Sequence, residues 1–213
     1  MGDRILETKT AKGNLREIDN AYAGFASALE AEFDKMGIGK MAVAEVLIAS
    51  GFYEEDFKII SSELGQSLPL DRNKERNAAT KDVSLANASI DPVPYLDLTE
   101  FGMIQTRYGG YAATLDNSLV TSQAGLTERM QHYFEPFSAL ATNPKRVEAA
   151  YDRYVADYNA WALRNNAETI NREAFDAEIQ TRMKHWTEKR DIYGAALEVA
   201  KSFDFFTKHE FTA

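Results

Sequence analysis

Residues 143–164, NPKRVEAAYDRYVADYNAWALR, and 171–202, NREAFDAEIQTRMKHWTEKRDIYGAALEVAKS, decide the fold of this chain. Asn143-Pro144 reads as a helix start, with asparagine as N-cap and proline at the first helical position, where its missing N–H is not needed. Val147, Tyr151, Tyr154, Tyr158 and Trp161 follow at four-three-four-three steps, the spacing that aligns side chains on one helical face. Asn165-Asn166 weakens that helix. A second start comes at Asn171, with Ile170 and Phe175 placed as a hydrophobic staple around the cap. Ile179, Trp186, Tyr193, Leu197 and Ala200 then continue a second buried face. Two long helices, each with one apolar face, must pack against other helices.

Upstream of this pair, a helix from about Ser122 carries Leu126, Met130, Tyr133, Phe134, Phe137 and Leu140. Pro136 is expected to kink or split it, because proline removes a donor and crowds the preceding turn. At the front of the chain, Leu15, Ile18, Tyr22, Phe25, Leu29, Phe33 and Met36 mark another amphipathic helix, ended by Gly37-Ile38-Gly39. A shorter helix holds Val43, Val46 and Leu47. Ser50-Gly51 makes a turn, and Phe57, Ile60 and Leu64 predict a third helix closing at Gly65.

The middle differs. Asp71 to Lys81 is polar without periodicity and reads as a loop or arm. Asp91-Pro92-Val93-Pro94 reads as extended or turning, since each proline keeps the residue before it out of the helical region. Met103 to Tyr108 and Tyr111 to Leu115 flank Gly109-Gly110, a two-residue hairpin turn that would set Tyr108 opposite Tyr111. The expected fold is mainly α: a bundle-like body with a central irregular insert that contains a β-hairpin. Residues 1–65 form the N-terminal helices, 66–121 the insert, and 122–213 the C-terminal helices and aromatic tail, together one domain.

Bulk chemistry narrows the function. The 213 residues are 45% hydrophobic and 27% charged, the balance of a soluble globular chain. A net charge of -9 has the wrong sign for a general nucleic-acid clamp, so nucleic acid is not an expected partner. The acidity is steepest at the front, with 7 basic and 12 acidic side chains in residues 1–68, and leans toward basic partners. The absence of cysteine rules out disulfides, thiolate metal sites and cysteine nucleophiles. No apolar run approaches the roughly 20 residues of a membrane span, and the N-terminus lacks the apolar core of a secretory signal. The expected location is the cytoplasm or the inside of a viral particle.

Candidate chemistry is sparse. His132, His185 and His209 stand in no metal-ligand spacing, and the pairs Glu128/His132 and His185/Glu188 read as helix-surface ion pairs. Gly37-Ile38-Gly39-Lys40 lacks the upstream strand and glycine spacing of a phosphate loop. Val43 to Leu64 has a helix-turn-helix rhythm and faintly resembles the DNA-binding helix pairs of bacterial regulators. Glu54-Glu55-Asp56, however, would aim three carboxylates where phosphates lie. No catalytic, cofactor or metal residue is assigned.

The charges around the Tyr151 to Trp161 stripe (Asp152, Arg153, Asp157) read as a solvated face, and the rings themselves as a helix–helix seam. Phe203, Phe205, Phe206 and Phe211 fall within nine residues and predict a tail that folds back on the core or docks on a neighbour. With the hairpin tyrosines Tyr108 and Tyr111 they are the candidate interaction residues. The expected function is a non-enzymatic interaction or assembly protein, a subunit of a larger complex or particle, with a protein partner or self-association. The alternatives are a small-molecule-binding or helix-turn-helix regulator, and an enzyme with an acidic site.

Overall fold

The computed structural model describes residues 3–53, 93–105, 111–113 and 119–204, with side chains described from Ile18 onward. Among these the chain is mainly α and bundle-like, with a small two-stranded antiparallel hairpin in its middle. The elements are α1 (Asp3–Met36), α2 (Lys40–Ala49), a 3-10 turn (Thr99–Phe101), β1 (Met103–Gln105), β2 (Tyr111–Ala113), α3 (Gln123–Thr142), α4 (Pro144–Arg164) and α5 (Arg172–Ser202). The chain divides into two compact units. Met1–Lys58, Asp116–Phe134 and Asp191–Ala213 form the first; Ile59–Leu115 and Glu135–Arg190 form the second.

In the first unit, α1 buries Ala21, Phe25, Leu29 and Phe33, the face expected from the three- and four-residue steps. It ends in a paired carbonyl closure around a left-handed glycine. Gly37 has φ +70°, the Ile38 N–H donates to the Phe33 carbonyl at 2.9 Å, and the Gly37 N–H donates to Asp34 at 3.3 Å. Helix α2 buries Val43, Val46 and Leu47, and Ser50 closes its last turn through an Oγ–H bond to the Leu47 carbonyl. Gly51 then takes φ +74°. A Cβ there would lie 2.9 Å from three atoms of the buried Arg129 guanidinium, so glycine is needed for both conformation and space. From α3 come the buried side chains Leu126, Met130 and Tyr133, and from α5 come Tyr193, Leu197 and Ala200. The Tyr133 and Tyr193 rings stack at 5.2 Å, and the Tyr193 hydroxyl donates to Glu45 Oε1 at 3.0 Å. The third helix expected over Phe57 to Leu64 lies outside the described residues, as does the Asp71 to Lys81 arm.

In the second unit, α4 buries Val147, Ala150, Tyr151 and Ala162, and α5 buries Phe175, Ile179 and Trp186. The Tyr151 and Phe175 rings meet at 5.1 Å, so the seam expected from the aromatic spacing is present. Asn171 caps α5 as expected, its Oδ1 accepting the Glu173 N–H at 2.9 Å. Asn143 behaves differently. It is the N-cap of α4, yet its side chain makes no cap bond there and instead donates to the Ala139 carbonyl at the end of α3. One residue thus starts a helix with its backbone and closes the previous one with its amide. At the far end of α4, Asn166 adopts φ +51° and the Ala167 N–H closes on the Ala162 carbonyl, so the weak point read from Asn165-Asn166 is a helix stop.

Of the kink or split expected at Pro136, the split is absent, and helix α3 continues through the proline. The missing proline donor costs one helical bond, and burial of Phe137 and Leu140 just beyond it holds the helix together. In the hairpin, Met103 pairs with Ala113, Ile104 with Ala112 and Gln105 with Tyr111. Tyr108 is therefore not the strand partner of Tyr111. Residues 106–110, including Tyr108 and the two glycines, lie outside the described residues. Register here is set by Tyr111, whose hydroxyl donates to the Leu96 carbonyl, and by the burial of Met103 and Ala113 at the far end of the ladder.

Candidate functional site

The second unit carries a groove, built from an extended segment and one helical face. From Tyr95 to Leu98 the chain alternates: Leu96 and Leu98 are buried, while Tyr95 and Asp97 point the other way and are exposed. Asp97 then turns the chain. Its Oδ1 accepts the Thr99 N–H at 3.0 Å and the Thr99 hydroxyl at 2.6 Å, which starts the 3-10 turn and places Glu100. Phe101 is buried, with the Arg146 guanidinium 5.3 Å from its ring centroid. Gly102, at φ +74°, reverses the chain into β1 where a Cβ would stand 3.1 Å from the Pro136 ring.

Against this segment α4 presents Ala150, Arg153, Tyr154 and Asp157. Their spacing of three, four and seven residues puts them on one face. Together with Tyr95, Asp97 and Glu100 they line an open cavity of about 230 Å³. Three carboxylates and one guanidinium meet there, along with two phenol rings. Glu100 is engaged by Arg146 at 3.1 Å and more loosely by Arg153 at 4.0 Å. The two Thr99 hydrogen bonds hold the Asp97 carboxyl below the usual carboxylate range, with Arg153 adding to the effect. Asp97 therefore stays ionised throughout the neutral range. Tyr95 is 56% exposed, so its ring stands at the mouth.

Behind the groove sits a layer of tyrosines. The Arg182 guanidinium of α5 lies 5.6 Å from the Tyr111 ring centroid, and Arg182 is itself held by Glu178 at 2.7 Å. Burial raises the phenols of Tyr111, Tyr151 and Tyr154 above their ordinary value, and for Tyr111 and Tyr151 the positive charge of Arg182 opposes that rise most. These phenols are therefore neutral at physiological pH.

The aromatic stripe divides at Tyr154. Val147 and Tyr151 are buried in the seam, whereas Tyr154, Tyr158 and Trp161 are only half-buried and form a row, with ring centroids 6.1 and 5.5 Å apart. Leu163, just beyond, is 73% exposed. The charges read as a solvated face also divide. Asp152 pairs with Arg172 at 2.6 Å, while Arg153 and Asp157 turn into the groove.

Of the six candidate interaction residues, two are described. Tyr111 is half-buried beneath Arg182, and Phe203 packs within the first unit, its ring 5.6 Å from Phe25 and close over Gly24, where a Cβ would be 3.2 Å away. Tyr108, Phe205, Phe206 and Phe211 lie outside the described residues. Sequence reasoning missed Tyr95, Asp97 and Glu100 altogether. The available signal was the Asp97-x-Thr99 turn pattern beside the alternation of Leu96 and Leu98. Beyond Tyr53 the helix-turn-helix candidate also falls outside the described residues. Among the described residues no group of three or more His, Asp or Glu is placed to hold a metal ion, and no helix is long and apolar enough to cross a membrane. Comparison with family models, with curated proteins and with solved structures finds no match to this chain.

Proposed function

We propose that this chain is a non-enzymatic interaction or assembly protein, a subunit of a larger complex or particle that associates through its helical C-terminal region and Phe-rich tail. The observation that carries the reading is the half-buried row of Tyr154, Tyr158 and Trp161 on α4. Large aromatic side chains held rigid by their neighbours lose little entropy on docking and dominate the energetics of protein interfaces. The rings also pack on one another in sequence along α4, which favours a preformed surface.

The chain has two tryptophans, and they report on this separately. Trp186 is buried within α5, whereas Trp161 is half-exposed in the row. Acrylamide quenching should resolve one protected and one accessible indole in dilute protein. With rising protein concentration the accessible indole should become protected and its emission should shift to the blue. Unchanged quenching of the accessible indole over a hundredfold concentration range (roughly 3 kcal/mol of mass action) would remove the row from any self-association.

A further inference from the structure

We propose that the Tyr95–Asp157 groove of the second unit holds the cationic side chain, lysine or arginine, of a basic segment on a partner polypeptide. This rests on the interaction reading above and names what the partner must bring. The lining carries Asp97, Glu100 and Asp157 against Arg153, a formal excess of two negative charges in one concavity. Among the described residues Asp157 has no ion-pair or hydrogen-bond partner, whereas Asp97 accepts from Thr99 and Glu100 is paired with Arg146. Two phenol rings, Tyr95 and Tyr154, flank the carboxylates, and ring faces attract ammonium and guanidinium groups. The aliphatic stem of lysine or arginine can lie along those rings while its head reaches the carboxylates.

Size selects a side chain over a cofactor. At about 230 Å³ the cavity is smaller than the roughly 300–1,000 Å³ of pockets that enclose whole small molecules. The chain itself shows that the groove accepts a guanidinium. Arg153 sits there, 69% exposed and 4.0 Å from Glu100, too far for a tight bidentate pair. Arg153 is therefore a weakly held internal competitor that a better-placed external cation displaces. From the mouth of the groove the row of Tyr158 and Trp161 continues along α4, so the backbone of a bound segment has an aromatic surface beside its anchoring side chain.

The test uses the full chain and blocked five-residue peptides: Ac-Gly-Arg-Gly-Arg-Gly-NH2, the same peptide with neutral citrulline in place of arginine, and one with glutamate. Binding is read by calorimetry at about 20 mM salt, where surface charges are little screened. The arginine peptide should bind about tenfold more tightly than the citrulline peptide, and the glutamate peptide should not bind. Asp157→Asn should weaken the arginine peptide about fivefold and Arg153→Gln should strengthen it about fivefold, each being one exposed charge contact. Opposite signs from two exposed residues of one helix face cannot come from loss of folding.

Equal binding of the arginine and citrulline peptides, or the same direction of change in both variants, overturns the proposal. Spermidine that binds more tightly than the arginine peptide overturns the polypeptide assignment in favour of a free amine. If the accessible indole becomes protected with concentration while no basic peptide binds, this inference fails and the interaction reading stands. Peptide binding with an indole that never changes leaves this inference standing and removes the row from self-association.

Discussion

At the residue scale, two glycines separate conformational strain from crowding. Gly37 and Gly51 both sit at positive φ, +70° and +74°. Nothing lies within 4 Å of a Cβ built on Gly37, whereas one built on Gly51 meets the Arg129 guanidinium at 2.9 Å. Gly37→Ala should cost only the left-handed backbone penalty, about 1 kcal/mol. Gly51→Ala must in addition displace a buried charged group from a packed site, and should cost more than about 3 kcal/mol. Chemical denaturation of both variants checks this; equal losses would mean that Arg129 moves aside freely. Neither cost was visible in the sequence, where Gly37 read as a helix end and Gly51 as part of a turn. Arg129 stood between Glu128 and Met130 in a largely polar stretch of α3, with nothing to mark it as buried.

At the element scale, the tyrosines link strand and helices in the second unit, and their ionisation has a definite sign. Burial raises the phenols of Tyr111 and Tyr151 above the ordinary value of 10.0, and in the first unit burial, followed by the Glu45 carboxylate, raises Tyr193 likewise. A group whose folded-state pKa is raised contributes stability that is complete below its unfolded pKa. That contribution is lost as pH rises from there through the folded value. Stability should therefore hold steady up to about pH 10 and fall steeply above it. An alkaline titration followed at the phenolate band should show the phenols of Tyr111, Tyr151 and Tyr193 ionising only with unfolding. A single smooth titration of all ten tyrosines, with helicity intact, would contradict their burial.

The same scale shows what was legible. Helix positions followed from periodicity because each helix buries one face, and Asn171 could be named as a cap because its side chain has one local use. The hairpin could be foreseen but its register could not. Gly109-Gly110 pointed to Tyr108 opposite Tyr111, whereas Tyr111 pairs with Gln105 and bonds to Leu96, a partner fifteen residues back. A non-local bond outranked a local turn signal. For the groove, half was hidden in plain view. Ala150, Arg153, Tyr154 and Asp157 share a face by spacing alone, but only the Tyr95–Glu100 segment, brought in through space, turns that face from solvated surface into a cavity.

At the scale of the whole molecule, the account holds that this chain works by association, presenting a rigid aromatic row on α4 and a groove of carboxylates beside it. Its excess acidic charge favours partners of opposite sign and sets a cost on self-association that the aromatic row has to exceed. The most direct measurement is light scattering after size exclusion on the full chain and on a Tyr158→Ser/Trp161→Ser variant, across protein concentration. The account predicts a full chain heavier than its 23.9 kDa monomer, with the mass rising with concentration, and a variant that stays helical but runs as a monomer. A full chain that remains at 23.9 kDa throughout and is indistinguishable from the variant would contradict it.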